Sequence, residues 1–209
     1  MSSPRELDDK LLFAINSLSR HTGWLHGVAE AYATYGVVLF GVLLAAGLLH
    51  ARTRDSRTLA AAGWSGIATF LALGLNQPIS HLFHEARPYV THPHLLLLVA
   101  SSADFSFPSD HTVMAGAVAA GLFLVSHRLG LVAASAAVVM AFTRVYVAAH
   151  YPWDVLAGLA LGALVAVVGW LLLRGPLVAL VAWLRARPGV RAVFGPEPSR
   201  EQQDVTVAR

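Results

Sequence analysis

The fold class this sequence predicts is an all-α integral membrane protein, and three observations predict it. Of 209 residues, 56% are hydrophobic and only 13% charged, against about 25% charged in an ordinary soluble domain. The apolar residues gather into five runs, each close to the roughly 20 residues a helix needs to cross hydrocarbon. The basic residues are almost all arginine, Lys10 being the single lysine, and they stand at the ends of those runs rather than in one patch. That distribution makes nucleic acid a poor explanation for the net charge of +3. There is no cysteine, so disulfides, thiol nucleophiles and thiolate metal sites are excluded too.

Taken in order, Met1 to Arg20 is too short in its apolar part to span and lacks the small-residue cleavage site of a secretory signal. Leu11, Leu12, Ile15 and Leu18 fall at helical spacing, which predicts an amphipathic helix on the membrane surface. The predicted spans are Ala31 to Leu49, Thr58 to Leu75, Asp110 to Ser126, Leu129 to Ala149 and Val155 to Leu173. The third is rich in Ala and Gly, which suits close helix packing. His127 and Arg128 predict a tight turn before the fourth. Between the second and third spans lies a long connection, Pro88 to Pro108; its run Leu95 to Ala100 is too short to span and is expected to rest on or dip into the interface. The run LVALVAWL beyond Arg174 is expected to be interfacial. The architecture is therefore a bundle of five to six transmembrane helices with an amphipathic N-terminal helix. Residues 1–184 form the membrane-embedded domain, and 185–209 are a polar cytoplasmic tail expected to be disordered.

With five spans, the loops holding Arg52, Arg54, Arg57, Arg128, Arg174, Arg185, Arg187 and Arg191 all fall on one side, which the positive-inside rule makes cytoplasmic. The span ends carrying unusual polar residues then meet at the outer face. Three clusters collect there. The first is His84, Glu85, Arg87 and Pro88, with Glu85 read as a charge partner for Arg87. The second is Pro108, Ser109, Asp110 and His111, where Ser109 reads as an N-cap and leaves the free N–H groups of a helix start pointing outward as an anion site. The third is the apolar stretch AFTRVYVAAHYPWDVLAG, interrupted by Arg144, His150 and Asp154. Unpaired charge at membrane depth costs several kcal/mol, on the order of 3 per residue at mid-helix, so these groups are paired, water-facing or chemically employed.

Pro152 suits the first turn of a helix, which sets Asp154 just inside its start and within reach of the His150 ring. A carboxylate on one imidazole nitrogen leaves the other free as base, nucleophile or ligand. Arg144 adds a fork-shaped cation suited to phosphate. The triplet is equally readable as a satisfied polar contact between helices. Together, however, two arginines, a helix N-terminus and two facing histidines describe a phosphate-handling site in which one histidine attacks and the other protonates the leaving group. The residues alone leave open which histidine attacks. His81, His84, His92 and His94 beside Glu85 lack a complete ligand set, so no metal site is assigned. Trp24, Trp153, Tyr89 and Tyr151 read as interfacial aromatics, and Asn76, Gln77 and Pro78 either line the site or kink their helix.

Arg87-Pro88, Pro108-Ser109-Asp110-His111, and Thr143-Arg144 with His150 and Asp154 resemble the three signature motifs of the phosphatidic acid phosphatase type 2 superfamily. Asp110 in place of the usual Gly is similar to its bacitracin-resistance branch of undecaprenyl pyrophosphate phosphatases. Thr143 replaces Ser and keeps the hydroxyl, whereas Ser80 stands where the first motif carries Lys. Lys10, a protonated His81 or His84, or backbone N–H groups alone are the candidates for making up the lost charge.

The resemblance implies catalytic roles for His150, His111 and Asp154. His150 attacks the terminal phosphorus, Asp154 orients it, and His111 protonates the leaving oxygen and later serves as base. It implies phosphate binding by Arg87, Arg144, Ser109, Asp110 and Thr143, with no metal or other cofactor. The implied partners are the bilayer and a lipid pyrophosphate or phosphate in a bacterial-type plasma membrane, the active site facing outward. Undecaprenyl pyrophosphate is the expected substrate; phosphatidic acid, phosphatidylglycerol phosphate or diacylglycerol pyrophosphate is the same-class alternative. A lipid transporter that binds phosphate without cleaving it is the alternative of another class.

Overall fold

The computed structural model describes residues 4–187 and residue 189, and every element among them is helical. The elements are α1 (Pro4–His21), a 3-10 turn (Gly23–Leu25), α2 (His26–Ala51), α3 (Ser56–Phe83), α4 (Pro88–Thr91), α5 (Asp110–Val125), α6 (His127–Tyr146) and α7 (Pro152–Arg185). Four stretches are long and apolar enough to cross a membrane: Gly23–Ala51, Ser56–Thr91, His127–Tyr146 and Pro152–Arg185. The fifth apolar helix, α5, has only 16 residues, a length of about 24 Å at 1.5 Å per residue.

The short helix is the axle of the bundle. Val113, Ala115, Ala117, Val118 and Leu122 of α5 are all fully buried, packed against Phe40 of α2 and Met140 of α6 on one side and Ala72 of α3 on another. Its small side chains let α7 approach backbone to backbone. A Cβ at Gly162 would lie 1.9 Å from the Val113 carbonyl oxygen, and one at Gly158 would lie 2.2 Å from Thr112 Oγ1, so only glycine fits at either position. The crossing has a functional consequence at its end: the Ser109 N–H donates to the Asp154 carbonyl at 3.2 Å, which joins the second and third motifs.

α3 and α7 are tied by Trp64, whose indole N–H donates to the Ala166 carbonyl at 2.8 Å. At the far end of the bundle Arg185 donates to the carbonyls of Arg54 and Arg52 at 2.6 and 2.8 Å. α1 lies over the end carrying the motifs. Leu12 is fully buried there, packed with Leu95, Val145 and Tyr151, and Asp8 accepts the Trp153 N–H of the first turn of α7 at 2.9 Å.

Two expectations are corrected and a third is made specific. LVALVAWL is not a separate interfacial segment, because α7 runs unbroken through Pro176 to Arg185. Leu95 to Ala100 is tied to α1, since Asn16 bonds the Leu96 carbonyl and N–H at 3.0 and 3.2 Å. The helix expected to reach Ala149 stops at Tyr146. Past it Ala148 adopts φ 60, a conformation that costs an L residue about 1 kcal/mol, and the chain turns inward. The tail proposed for 185–209 begins as the last turn of α7, and its residues beyond 187 other than 189 lie outside the described ones.

Candidate active site

The inward turn after α6 is held by the Arg144 carbonyl, which accepts the N–H groups of Ala149 and His150 at 3.0 and 3.3 Å. It aims His150, 2% exposed, into the bundle. Immediately beyond, Tyr151 is the N-cap of α7 and Pro152 its first residue. Asp154 reaches back so that Oδ2 accepts the Tyr151 N–H at 2.9 Å, closing the helix start as a capping carboxylate does.

The imidazole is oriented from both sides. Nδ1 lies 2.9 Å from the Ser106 carbonyl oxygen; a carbonyl only accepts, so Nδ1 carries the proton and Nε2 the lone pair. Arg87 Nη1 donates to that Nε2 at 3.2 Å. Asp154 Oδ2 is farther from Nδ1, at 3.5 Å, and instead accepts the Ser106 hydroxyl at 2.5 Å. Burial, then the nearby cations Arg144 and Arg87, holds the His150 pKa well below the ordinary imidazole value, so the ring is neutral.

Arg87 is the N-cap of α4. Its Nη1 also donates to the Ala149 carbonyl at 3.0 Å, while Nη2 pairs with Asp104 at 2.9 Å. The partner expected for it, Glu85, faces the other way, into a groove with Arg5 and Asp8, because the first turn of α4 points Arg87 into the bundle. Asp104 is partly buried, which works against ionisation, but hydrogen bonding to Ser102 and the Arg87 cation hold its pKa below the usual carboxylate value.

Two adjoining recesses meet at these groups. A cavity of about 70 Å³ is lined by Ser80, Arg87, Asp104, Asp110, His111 and His150, among others. A second, of about 240 Å³, is lined by Thr34, Arg87, Tyr89, Ser102, His111 and Arg144, among others. His111 and Arg87 therefore border both. Arg144 is 7% exposed; Nη1 donates to the Ala33 carbonyl at 3.2 Å and Nε has no partner. The Ser109 hydroxyl is likewise buried without a partner and makes no cap bond.

The tertiary structure thus gathers His150, Asp154, His111, Arg87, Arg144 and Ser109 at one end of the bundle. It engages two other expected phosphate ligands elsewhere. The Thr143 hydroxyl donates to the Val139 carbonyl of its own helix at 2.6 Å. The Asp110 carboxylate accepts Asn76 and Gln77 side-chain amides at 2.6 and 3.2 Å, so Asn76 and Gln77 are braces for Asp110, and neither the Asp110 nor the Thr143 side chain offers a free donor to an anion. Ser106 and Asp104 were missed. Both lie in the loop segment SSADFSFP, where a Ser and an Asp carry no spacing signal that distinguishes them from solvated linker residues. Among the described residues, no group of three or more His, Asp or Glu side chains is arranged to hold a metal ion.

Residues 61–176 match the PAP2 superfamily, more than half of the chain. The chain belongs to that superfamily. Over 161 residues it is 32% identical to "Undecaprenyl-diphosphatase BcrC" of Bacillus subtilis, covering 77% of this chain and 80% of that protein. It is 30% identical to "Bacitracin transport permease protein BcrC" of Bacillus licheniformis, over 73% of this chain and 74% of that one. In fold it is similar to the crystal structure of Aquifex aeolicus LpxE, with a TM-score of 0.53 and 21% identity over 78% of this chain and 93% of that one. This PAP2 superfamily protein is a multi-span membrane phosphatase, as the motifs implied.

Proposed function

We propose that the chain hydrolyses undecaprenyl diphosphate to undecaprenyl phosphate at the outer face of a bacterial plasma membrane, through a phosphohistidine on His150. The observation that carries the reading is the neutral His150 ring, with its proton on Nδ1 and its Nε2 accepting from Arg87 at the edge of a cavity that His111 also borders. The Bacillus subtilis relative supports the choice of substrate.

In the proposed reaction Nε2 attacks the terminal phosphorus and the bond to the bridging oxygen breaks. The lipid monophosphate leaves with a proton supplied by His111. Water then attacks the phosphohistidine, gives its proton to His111, and releases inorganic phosphate with His150 restored. The Nδ1 proton stays in place throughout. Arg87, Arg144, the free Ser109 hydroxyl and the open N–H groups at the start of α5 hold the nonbridging oxygens, where charge must be stabilised in the transition state. Arg87 exchanges Asp104 for phosphate on substrate binding. No step uses a metal.

Purified protein in one detergent, assayed with a chelator present, tests the proposal by release of inorganic phosphate. Undecaprenyl diphosphate should be turned over faster than phosphatidic acid, phosphatidylglycerol phosphate or diacylglycerol pyrophosphate; faster turnover of one of these assigns the substrate there. A phosphate-binding transporter, the reading that fits the name of the Bacillus licheniformis relative, predicts binding with no phosphate release. For orientation, single cysteines at Ser56 and Thr91 should label oppositely in intact cells, only Thr91→Cys reacting with an impermeant reagent. Labelling at Ser56 alone reverses the assignment.

A further inference from the structure

We propose that Ser106 is a positioning residue of this site, the piece through which Asp154 governs the His150 imidazole. The inference deepens the phosphohistidine reading and rests on it. Ser106 is fully buried, and each of its polar groups is committed to the site. Its N–H donates to the Glu85 carbonyl at 2.8 Å, anchoring it to the chain entering α4. Its carbonyl accepts the hydrogen bond that His150 Nδ1–H donates. Its hydroxyl donates to Asp154 Oδ2.

The distances decide which contact orients the ring. One N–H points well at one acceptor, and the Ser106 carbonyl at 2.9 Å is the closer acceptor, while Asp154 Oδ2 stands at 3.5 Å. The tautomer that leaves Nε2 unprotonated is therefore held directly by the Ser106 main chain. Asp154 acts one step removed. Its Oδ2 accepts from Ser106 and from the Tyr151 N–H, main-chain neighbours on either side of the ring, so the carboxylate clamps the acceptor on one side and the segment bearing His150 on the other. Its Oδ1 has no partner at all, which leaves the clamp on a single oxygen. The loop bearing Ser106 also carries Asp104 to Arg87 and sets Phe105 in the cavity wall.

The test is a mutant cycle in purified protein with Ser106→Ala, Asp154→Ala and the double variant, reading kcat, KM and the inhibition constant of orthovanadate. Partners that orient a metal-ligating histidine are worth about 10- to 100-fold, and a histidine nucleophile held in the same way should depend on its partner on the same scale. Ser106→Ala should accordingly lower kcat by about 10- to 100-fold, with KM and vanadate inhibition within about twofold of wild type. The double variant should be no slower than Asp154→Ala alone, because both changes release the same clamp. If Ser106→Ala does not fold, Ser106→Cys, close in size with a weaker donor, should show the same pattern with a smaller loss. Wild-type kcat, losses that multiply in the double variant, or a loss confined to KM and vanadate binding would each overturn the proposal. An active His150→Ala protein would instead remove the phosphohistidine reading beneath it, whatever Ser106→Ala does.

Discussion

Both ends of the bundle bury arginine, and they use it in opposite ways. Arg185 is 4% exposed, and Arg87 and Arg144 are each 7% exposed, so burial does not distinguish them. What differs is where their donors go. Arg185 gives both terminal nitrogens to main-chain carbonyls in the α2–α3 turn, Arg54 and Arg52, and closes that end of the bundle. Arg144 donates to the single carbonyl of Ala33 and borders a cavity of about 240 Å³. Arg87 is paired with Asp104, a side chain that is 59% exposed and free to move aside. A buried cation that gives both terminal nitrogens to main-chain carbonyls holds a fold together. One with donors left over needs a ligand, since an uncompensated buried charge costs several kcal/mol, about 3–5 when a partner is removed.

The harshest way to break this contrast is at the histidine. His150→Ala should abolish turnover in protein that still folds, whereas Asp154→Asn, which keeps an acceptor for Ser106, should leave a small residual rate. Near wild-type activity in His150→Ala would mean that the polar end is structural like the other. Next come the arginines as a pair. Arg144→Ala should lower kcat/KM by about 10³-fold with thermal stability unchanged or raised. Arg185→Ala should keep activity per folded molecule but lose about 3–6 kcal/mol, as two hydrogen bonds from a charged group are removed. Loss of activity without loss of stability in Arg185→Ala would erase the distinction.

A milder change sharpens the electrostatics. Because burial and the arginines lower the His150 pKa, the ring stays neutral as pH falls through its ordinary value and protonates only further down. The acid limb of kcat/KM due to His150 should lie below about 6.5, the unperturbed imidazole value, and move upward in Arg144→Gln. A wild-type limb due to His150 at or above that value contradicts the arrangement. Smallest of all is the effect at Ser80, which lines the cavity where the superfamily pattern carries Lys. Ser80→Lys should lower KM a few-fold if cationic charge is limiting. Lys10 is exposed on α1 and does not border either recess, so Lys10→Ala should leave KM unchanged. An effect of Lys10→Ala would mean that α1 closes over the pocket during turnover.

Much of this was legible in advance. The five apolar helices, the surface helix ahead of them and the gathering of three polar clusters at one end follow from run lengths and from arginines at run ends. His150 and Asp154 could be paired because their spacing around Pro152 is a local helix-start rule that the structure obeys. The local engagement of the Thr143 and Asp110 side chains was not legible, for the opposite reason. Their types suit a phosphate site, but a threonine on a helix can bond the carbonyl one turn back, and a carboxylate beside Asn76 and Gln77 is claimed by their amides.

The sequence by itself determined what is local or periodic: helices, their ends, the facing clusters, and the residue types of a phosphate-handling site. Only the tertiary structure decided which acceptor holds His150, which carboxylate pairs with Arg87, and which arginine has donors to offer. Those outcomes turn on where loop main chain lands. Ser106 reaches His150 across 44 residues and Asp104 reaches Arg87 across 17. A hydrogen bond decided by differences of about half an ångström between competing acceptors leaves no periodic trace in the chain.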